Sequence, residues 1–224
     1  MKRRLIIVAG GEGIRMGQKI PKQFIEIGGK PIIIWTMLLF YKCNISYPYI
    51  LVLPETYFDY WNELCKKYTF TLPHKLVKGG KTRFHSVYNG LQEIQDECLV
   101  AIHDGVRPFV SINVIENAFT IAQIKGNCIP SQKLKDSVRK INNNNNKSFS
   151  RYSIRSIQTP QVFNSKIIKK AYDQQYSIDF TDDASVVEKA GYKINLIEGN
   201  EENIKITTPS DLIIAEAFIK YFPF

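Results

Sequence analysis

Short apolar runs alternate with longer amphipathic segments along the chain. Four apolar runs are predicted to be buried strands, at residues 3–9, 49–53, 99–103 and 193–197. Four other segments are predicted to be helices, at residues 31–43, 55–68, 111–126 and 208–222. Alternation of strands and helices predicts an α/β fold, a three-layer sandwich around a mostly parallel sheet. Ligands of such folds bind beyond the carboxyl ends of the strands, so the residues after each strand are the first candidates for a site.

Residue types at the predicted helix ends agree with these boundaries. Pro31 suits the first turn of the helix over 31–43, because proline is preorganised for that position. Ser111 is a candidate N-cap of the helix over 111–126, and Gly126 is a candidate stop signal.

One segment departs from the alternation. Residues 133–161 are polar and contain a run of asparagines at 142–146. Leu134 and Val138 fall on one face of an alternating strand, and asparagine tolerates the left-handed conformation that turns require. We therefore predict a protruding hairpin over 133–157 with the asparagines at its tip. A disordered low-complexity loop is the alternative that the sequence leaves open.

Composition and charge restrict the class of partner. The chain has 224 residues, of which 44% are hydrophobic, as in ordinary globular proteins of one or two domains. Its 30 basic and 21 acidic residues give a formal charge of +9, which favours anionic partners. The basic residues are spread along the chain without a basic-aromatic stripe or a recognition motif, so nucleic-acid binding is a minor alternative.

Cysteine spacing argues against a zinc site. The chain has three histidines and no CxxC pair, and its cysteines stand at positions 43, 65, 98 and 128. Such spacing is typical of reduced core cysteines in a cytoplasmic protein. The first apolar run ends at glycines and is too short for a signal peptide, and no run approaches the roughly 18 residues of a membrane span. We expect a cytoplasmic protein without a membrane partner.

The stretch IVAGGEGIRMGQKIPKQF, residues 7–24, follows the first predicted strand. Glycines there let the backbone approach a ligand closely, and free N–H groups in such a turn bind anions. Arg15 and Lys22 add full positive charge and are placed to converge on one triphosphate. The stretch matches neither GxGxxG nor GxxxxGK[ST], so a sharp turn with two solvated cations remains the alternative.

A second polar stretch, HDGVRPF at residues 103–109, follows another predicted strand. Asp104 at the end of that strand is placed to bind a metal ion, and Arg107 is suited to a bidentate contact with phosphate. An Asp–Arg pair that merely closes a turn is the alternative.

Other polar residues stand at predicted element boundaries, and each is a weak signal alone. A glycine pair at 79–80 precedes a helix that carries Arg83 and Ser86. Lys205 lies just before a helix capped near Thr207 or Thr208. Thr159 precedes a proline, and Thr181 is read first as a helix N-cap.

In their order along the chain, these stretches resemble the 2-C-methyl-D-erythritol 4-phosphate cytidylyltransferases of non-mevalonate isoprenoid synthesis. The similarity covers residues 5–218 and rests on AGGEGIRMG, PKQF, the GG…R…S helix, Asp-x-x-Arg-Pro, Thr-Pro-Gln, Thr-Asp-acid-Ala and Asn-Ile-Lys. It implies one nucleotide-diphospho-sugar-transferase-like (Rossmann-like) domain over 1–224, homodimeric through the arm at 133–157. The implied reaction joins CTP to a sugar-alcohol phosphate with Mg²⁺ and releases pyrophosphate.

The resemblance also implies roles for individual residues. CTP would be bound by Ala9, Gly10, Gly11, Gly13, Gly80, Ser86 and Gly105. Three cations would be catalytic, holding the triphosphate or reaching its α-phosphate: Arg15, Lys22 and Lys205. Methylerythritol phosphate would contact Asp104, Arg107, Thr159 and Thr181, and from the partner's arm Ser137 and Arg151. Asp104 is the metal candidate.

The chain departs from the family pattern at four positions. Gly10 and Gly105 replace the usual alanines, and Ser137 replaces threonine. Glu202 stands where an aspartate can precede Asn-Ile-Lys, which argues against a direct metal role at this position.

The chemistry that the resemblance implies needs no general base. A phosphate monoester has a second pKa of about 6 and is mostly dianionic at neutral pH. Catalysis is therefore expected to consist of charge neutralisation and in-line positioning.

Two alternative activities remain at this point. The ribitol-5-phosphate cytidylyltransferases share most of the motifs, although DSVRK in the arm is more similar to the methylerythritol enzymes. A nicotinamide oxidoreductase would need a glycine fingerprint that is absent, and the second predicted strand is followed only by Glu55.

Overall fold

The computed structural model describes residues 1–11, 20–43, 45–143 and 145–222. Its strands are β1 (Lys2–Val8), β2 (Glu26–Ile27), β3 (Lys30–Pro31), β4 (Tyr49–Leu53), β5 (His74–Lys78), β6 (Cys98–Asp104), β7 (Asn127–Lys133), β8 (Val138–Asn142), β9 (Asn145–Phe149), β10 (Arg155–Ile157), β11 (Gln161–Asn164) and β12 (Leu196–Glu198). Its helices are α1 (Ile32–Tyr41), α2 (Phe58–Lys67), α3 (Arg83–Gln92), α4 (Ile112–Lys125), α5 (Ser165–Tyr172), α6 (Asp183–Lys189) and α7 (Pro209–Phe218). None of the helices in these ranges is long and apolar enough to cross a membrane.

Eight strands form the central sheet, in the order β10–β7–β11–β6–β1–β4–β5, with β12 beside β7. The four strands β6, β1, β4 and β5 are parallel to one another. On the other side, β11 runs antiparallel between β6 and β7, and β10 runs antiparallel to β7. The predicted α/β fold with a mostly parallel sheet is confirmed.

Helices cover both faces of this sheet. Leu5 and Ile7 of β1 pack in a core with side chains of α1, α2 and α4. Ile6 and Val8 of the same strand pack in a second core with side chains of α3, α5 and α6. Successive side chains of a strand point to opposite faces, so the continuous apolar run at 5–8 in β1 fits a sheet that is covered on both sides. The three-layer arrangement predicted from these runs is confirmed.

The predicted helix ends at 111 and 126 are confirmed by their geometry. The Ser111 side chain accepts a hydrogen bond from Val114 N–H, and Gly126 adopts a φ of 86° at the C-cap of α4. A residue with a side chain is strained at that φ, which explains the glycine.

The reading of Thr181 as an N-cap is wrong. Asp182 caps α6: its carboxylate accepts from Ser185 N–H, and the Ser185 hydroxyl accepts in return from Asp182 N–H. Because this reciprocal pair satisfies two N–H groups, the cap falls one residue later than the sequence suggested. Thr208, one of the two candidates, caps α7 through a similar pair with Asp211.

The strand predicted over 193–197 is found at Leu196–Glu198 instead. Before it, the side chain of Asn127 binds the backbone of the expected strand at two points. Its Nδ2 donates to Lys193 C=O, and its Oδ1 accepts from Asn195 N–H. These side-chain bonds lie beside the start of the backbone pairing with β7, where Ile129 N–H donates to Asn195 C=O at 2.9 Å. The sequence analysis also missed β5, an edge strand whose ends carry His74 and Lys78.

The polar segment forms the predicted hairpin and not a structureless loop. Strands β8 and β9 pair antiparallel, with Asn142 opposite Asn145, and Asn143 has a φ of 49° at the turn. The two strands form a separate small sheet, and the described residues from Arg139 to Ser150 are all exposed. The arm, residues 133–157, therefore projects from the domain at β8 and β9, while its base, Lys133 and β10, is paired within the central sheet.

Candidate active site

Two neighbouring cavities lie at the carboxyl ends of β1 and β6. The first cavity has a volume of about 330 Å³ and is lined by Val8–Gly11, Lys22, Gln23, Gly80–Arg83, Ser86, Asp104, Val106 and Lys205. The second cavity has a volume of about 240 Å³ and is lined by Arg83, Asp104, Arg107, Ile157–Thr159, Gln161, Thr181, Asp182 and Lys205. Arg83, Asp104 and Lys205 belong to both. The two cavities thus share one charged wall.

Backbone shapes the first cavity where the sequence predicted a nucleotide site. A Cβ at Gly80 would lie 2.3 Å from the Cβ of His85, so no side chain fits there without a shift. The Ser86 hydroxyl accepts from Gly80 N–H at 3.0 Å and donates to Thr82 C=O at 3.0 Å. Ser86 therefore holds the glycine turn in shape while it lines the cavity.

The loop after β1 is held by side chains and close packing. Gln23, which directly follows Lys22, donates from Nε2 to Ala9 C=O at 2.8 Å. Gly105 N–H donates to Val8 C=O at 2.9 Å, and a Cβ at Gly105 would lie 2.9 Å from the Cβ of Ala9. Glycine at 105 therefore allows the ends of β1 and β6 to approach each other closely.

The shared wall contains an ionic cluster centred on Asp104, whose side chain is 9% exposed. One carboxylate oxygen lies 3.1 Å from Arg107 Nε and 3.1 Å from Lys205 Nζ. The other oxygen lies 3.4 Å from Arg83 Nε. Burial alone would raise the pKa of Asp104, but the nearby positive charges outweigh it and hold the pKa well below its usual range. Asp104 is an anion throughout the physiological range.

Arg83 is anchored from its other side by Asp183. The guanidinium binds the carboxylate of Asp183 through two hydrogen bonds of 2.8 and 2.7 Å, and the Tyr172 hydroxyl donates to the same carboxylate at 2.6 Å. The ionic cluster thus consists of Arg83, Asp104, Arg107, Asp183 and Lys205. With three cations and two carboxylates, it carries a net positive charge at the wall between the cavities.

The sequence analysis gave Arg83 no role, although a signal was present. Arg83 is the first residue of α3, next to the N-cap Thr82. A cation at a helix N-terminus is unfavourable because the helix dipole is positive there. An arginine in that position therefore indicates an anionic partner from elsewhere in the fold, and the partners here are Asp104 and Asp183.

The structure brings most predicted site residues together. Those that line one or both cavities are Ala9, Gly10, Gly11, Lys22, Gly80, Ser86, Asp104, Arg107, Thr159, Thr181 and Lys205. Gly13 and Arg15 lie outside the described residues. Ser137 and Arg151 lie in the arm and line neither cavity. Arg151 instead borders a separate cavity of about 400 Å³ with Lys133, Leu134, Lys135, Tyr152, Ile154 and Arg155.

The described residues do not fit a metal held by the protein alone. Within them, no three His, Cys, Asp or Glu side chains come together as a metal site would require. Asp104 is already surrounded by three cationic side chains, which disfavour a further cation. Glu202 accepts a hydrogen bond from Asn200 Nδ2 at 3.0 Å and lines neither cavity.

Comparison with known proteins identifies the family. The model of the 2-C-methyl-D-erythritol 4-phosphate cytidylyltransferase family matches residues 4–221. The chain belongs to this family. Among curated cytidylyltransferases of that name, the protein of Phocaeicola vulgatus is 49% identical over 219 residues, which are 98% of this chain and 100% of that protein.

Solved structures of the cytidylyltransferase family share the fold. The 4-diphosphocytidyl-2C-methyl-D-erythritol synthase of Anaerococcus prevotii gives a TM-score of 0.83 at 29% identity, covering 98% of this chain and 96% of that one. The 2-C-methyl-D-erythritol 4-phosphate cytidylyltransferase of Thermus thermophilus gives 0.80 at 28% identity, covering 98% and 100%. The likeness therefore extends over whole chains.

Membership of the cytidylyltransferase family makes the chain a nucleotidyltransferase of isoprenoid precursor synthesis. The resemblance stated from the sequence is confirmed. The family match supports the methylerythritol activity and not the ribitol 5-phosphate or nicotinamide alternatives. The expectation of no nucleic-acid partner stays a prediction.

Proposed function

We propose that the chain transfers the cytidylyl group of CTP to 2-C-methyl-D-erythritol 4-phosphate, with CTP in the first cavity and the acceptor in the second. The observation that carries this assignment is the wall of Arg83, Asp104 and Lys205 that both cavities share. A nucleotide in one cavity and a phosphate monoester in the other would meet at this wall. Its net positive charge is what two approaching anions require.

The reaction balances without a general base. An oxygen of the acceptor's phosphate attacks the α-phosphorus of CTP and forms a new P–O bond. The bond from the α-phosphorus to the bridging oxygen of the β-phosphate breaks, and pyrophosphate leaves with the electron pair. Because the nucleophile is already an anion near neutral pH, the protein has to position it and neutralise charge.

Lys205 is the cation best placed to act on the α-phosphate. Its ammonium is held 3.1 Å from Asp104, yet the side chain is 41% exposed and borders both cavities. It can therefore contact a phosphate oxygen without leaving its carboxylate partner. Lys22 also lines the first cavity, where the triphosphate would lie, and Arg15 has its triphosphate role from the sequence alone.

Arg107 is the proposed anchor of the acceptor phosphate. Its Nε donates to Asp104 at 3.1 Å, and Nη1 donates to Asn203 C=O at 2.8 Å, so the guanidinium is fixed at the edge of the second cavity. The guanidinium can also donate a hydrogen bond to an oxygen of the acceptor phosphate. Thr159 and Thr181 line the same cavity and are proposed to face the polyol.

We propose Mg²⁺ as a cofactor that arrives with CTP and not on a protein cage. Mg²⁺ keeps several waters and is commonly bound through one or two carboxylates together with substrate phosphates. Among the described residues that line the first cavity, Asp104 is the one carboxylate and is committed to cations, so the triphosphate oxygens are the main ligands in this proposal. Bound in this way, the ion would neutralise the triphosphate and the leaving pyrophosphate.

We further propose a homodimer in which each arm completes the partner's second cavity. Two-stranded hairpins are marginal alone in water, and this hairpin exposes apolar side chains, with Ile141 75% and Tyr152 85% exposed. A twin arm across a two-fold axis would cover them. Ser137 and Arg151 would then contact the acceptor bound to the partner chain.

We also propose that the protein is located in the cytoplasm. It is supported by four free cysteines, three of them buried, at positions 43, 65, 98 and 128. Reduced buried thiols are typical of cytoplasmic proteins. Detection of the chain in a cell fraction other than the cytoplasm would overturn it.

Pyrophosphate release in the presence of CTP and Mg²⁺ tests the proposed function. Methylerythritol phosphate should support rapid turnover, and ribitol 5-phosphate should be a far poorer acceptor. Preference for ribitol 5-phosphate, or release without any acceptor, would contradict the proposal. Mass spectrometry of the nucleotide product separates transfer from simple hydrolysis of CTP.

A further inference from the structure

His103 precedes Asp104 on β6, and its side chain is completely buried. Both ring nitrogens have partners: Nε2 lies 2.9 Å from Arg107 C=O, and Nδ1 lies 3.0 Å from the Thr159 hydroxyl. The ring also packs edge-on against Phe40, with 4.9 Å between ring centroids. The proposed reaction uses no general base, so this enclosed histidine has no part in the chemistry described so far.

The partners determine which nitrogen carries the proton. A carbonyl can only accept, so His103 donates from Nε2–H to Arg107 C=O. Burial lowers the pKa of His103 to about 4, so the ring is neutral near pH 7 and Nδ1 is an acceptor. The Thr159 hydroxyl therefore donates to Nδ1. Its oxygen remains free to accept from Asp104 N–H at 3.1 Å.

This chain of hydrogen bonds joins both sides of the second cavity. One side is the turn from Asp104 to Arg107, which His103 closes by binding the Arg107 carbonyl. The other side is the segment before β11, where Thr159 binds the Asp104 backbone. No bond of the chain reaches the glycine loop or Lys22 in the first cavity. The same turn contributes Asp104 and Val106 to the first cavity, so a shift of His103 would act mainly on the second cavity and less on the first.

We infer that His103 is a positioning residue for the acceptor: through Thr159 and the Arg107 carbonyl it fixes the geometry of the second cavity, and its effect on CTP binding is smaller. The inference rests on the proposed placement of the acceptor in that cavity. A displacement of about 1 Å in a bound reactant can lower turnover on the order of a hundredfold, so loss of this restraint has a measurable cost.

The test uses His103→Gln and Thr159→Val in the full-length protein. Gln can still donate from Nε2 to the Arg107 carbonyl but has no acceptor atom at the position of the His103 Nδ1, and Val keeps the shape of Thr159 without its hydroxyl. Each variant should raise KM for methylerythritol phosphate, with kcat/KM for this substrate falling about ten- to a hundredfold. The dissociation constant of CTP, measured by calorimetry, should stay within twofold of the original.

The two changes break the same hydrogen bond, which permits a double-variant cycle. If the inference is right, the double variant should be no worse than the more impaired single variant, because their effects are not additive. Thr159→Ser restores a hydroxyl and should recover most of the lost kcat/KM. Full additivity, or equal impairment in Thr159→Ser and Thr159→Val, would overturn it.

His74 provides a matched control. It also accepts at one ring nitrogen, from Trp61 Nε1 at 2.8 Å, and bonds Leu72 C=O through the other at 2.7 Å. It lies at the amino end of β5 and lines neither cavity. His74→Gln should lower stability without changing KM for either substrate.

The outcomes separate a failed inference from a failed function. If the unaltered protein does not use methylerythritol phosphate, the proposed function fails. The inference fails separately if the unaltered protein does use this acceptor but the His103 and Thr159 variants merely contain less folded protein, with unchanged kinetics per folded molecule. Thermal unfolding and active-site titration measure the folded fraction, and this result would mean that His103 is merely structural. Because Thr159→Val removes no ring from the core, it keeps the test valid if His103→Gln does not fold.

Discussion

The ionic cluster and the arm are both rich in cations, but they hold them differently. In the cluster, Arg83 and Arg107 are largely buried and paired with buried carboxylates of the same chain. In the arm, the pair between Lys135 and Glu201 is exposed, and the hairpin that follows is exposed throughout its described residues. The cluster is therefore organised within one chain, whereas the arm leaves charged and apolar side chains exposed.

The largest predicted effect is the loss of stability when a buried ion pair is broken, compared with the loss when an exposed ion pair is broken. Asp183→Asn removes the partner of Arg83 at a site where the Asp183 side chain is fully buried. Breaking a buried pair in this way costs about 3–5 kcal/mol, so the free energy of unfolding should fall by that amount in urea denaturation. The control Glu201→Gln breaks the exposed arm pair and should cost at most about 1 kcal/mol. Equal losses would contradict the distinction between the two regions.

The next effect is on the chemical step. Lys22→Ala should lower kcat by about a hundred- to a thousandfold, because loss of one preorganised donor costs roughly 2.7–4 kcal/mol of transition-state stabilisation. The fold should be intact by circular dichroism. The control is Lys66→Ala, which removes an exposed cation of α2 that lines neither cavity. This variant should retain full activity. A change in KM for CTP alone would mean that Lys22 only binds the nucleotide.

A smaller effect concerns pH. The acid limb of kcat/KM should follow the acceptor's phosphate, with a midpoint near its pKa of about 6. Loss of the dianion below that pH removes the nucleophile. His85→Gln and His103→Gln should both keep the limb at the same pH, even though the second variant is less active. Disappearance of the limb in either variant would identify a histidine as a general base.

The smallest effect should come from the tip of the arm. Replacing the asparagine run at 142–146 by a two-residue Asn-Gly turn should leave kcat and KM unchanged, because this tip only reverses the chain at Asn143. Steady-state kinetics and sedimentation measure both activity and assembly. Loss of dimerisation in this variant would show that the tip itself makes contacts.

Much of the fold could be predicted because the strands carry their own signal. The second half of β1, from Leu5 to Val8, and the whole of β4 are continuous apolar runs, and a sheet covered on both faces accounts for them. Asp104 and Arg107 could also be proposed, since they follow such a run. Positions at the carboxyl end of a buried strand are where this architecture places ligands.

The parts that escaped prediction depend on contacts between distant segments. Arg83 and Asp183 are 100 residues apart in sequence, and only the packed fold brings them together. Thr181 and Asp182 are both competent caps, and the reciprocal bond from Ser185 decides between them. Asn127 binds the backbone of Lys193 and Asn195 through side-chain bonds that no periodicity reveals.

Mixed dimers test most directly whether the active site is complete only with a partner's arm. Lys22→Ala and Arg151→Ala homodimers should each be nearly inactive. In a mixed dimer, one site collects both lesions and the other collects neither. Random pairing after co-expression makes half of the dimers mixed, so about a quarter of all sites should recover activity. If heterodimers confirmed by native mass spectrometry are as inactive as their parents, Arg151 acts in its own chain and the shared site is wrong.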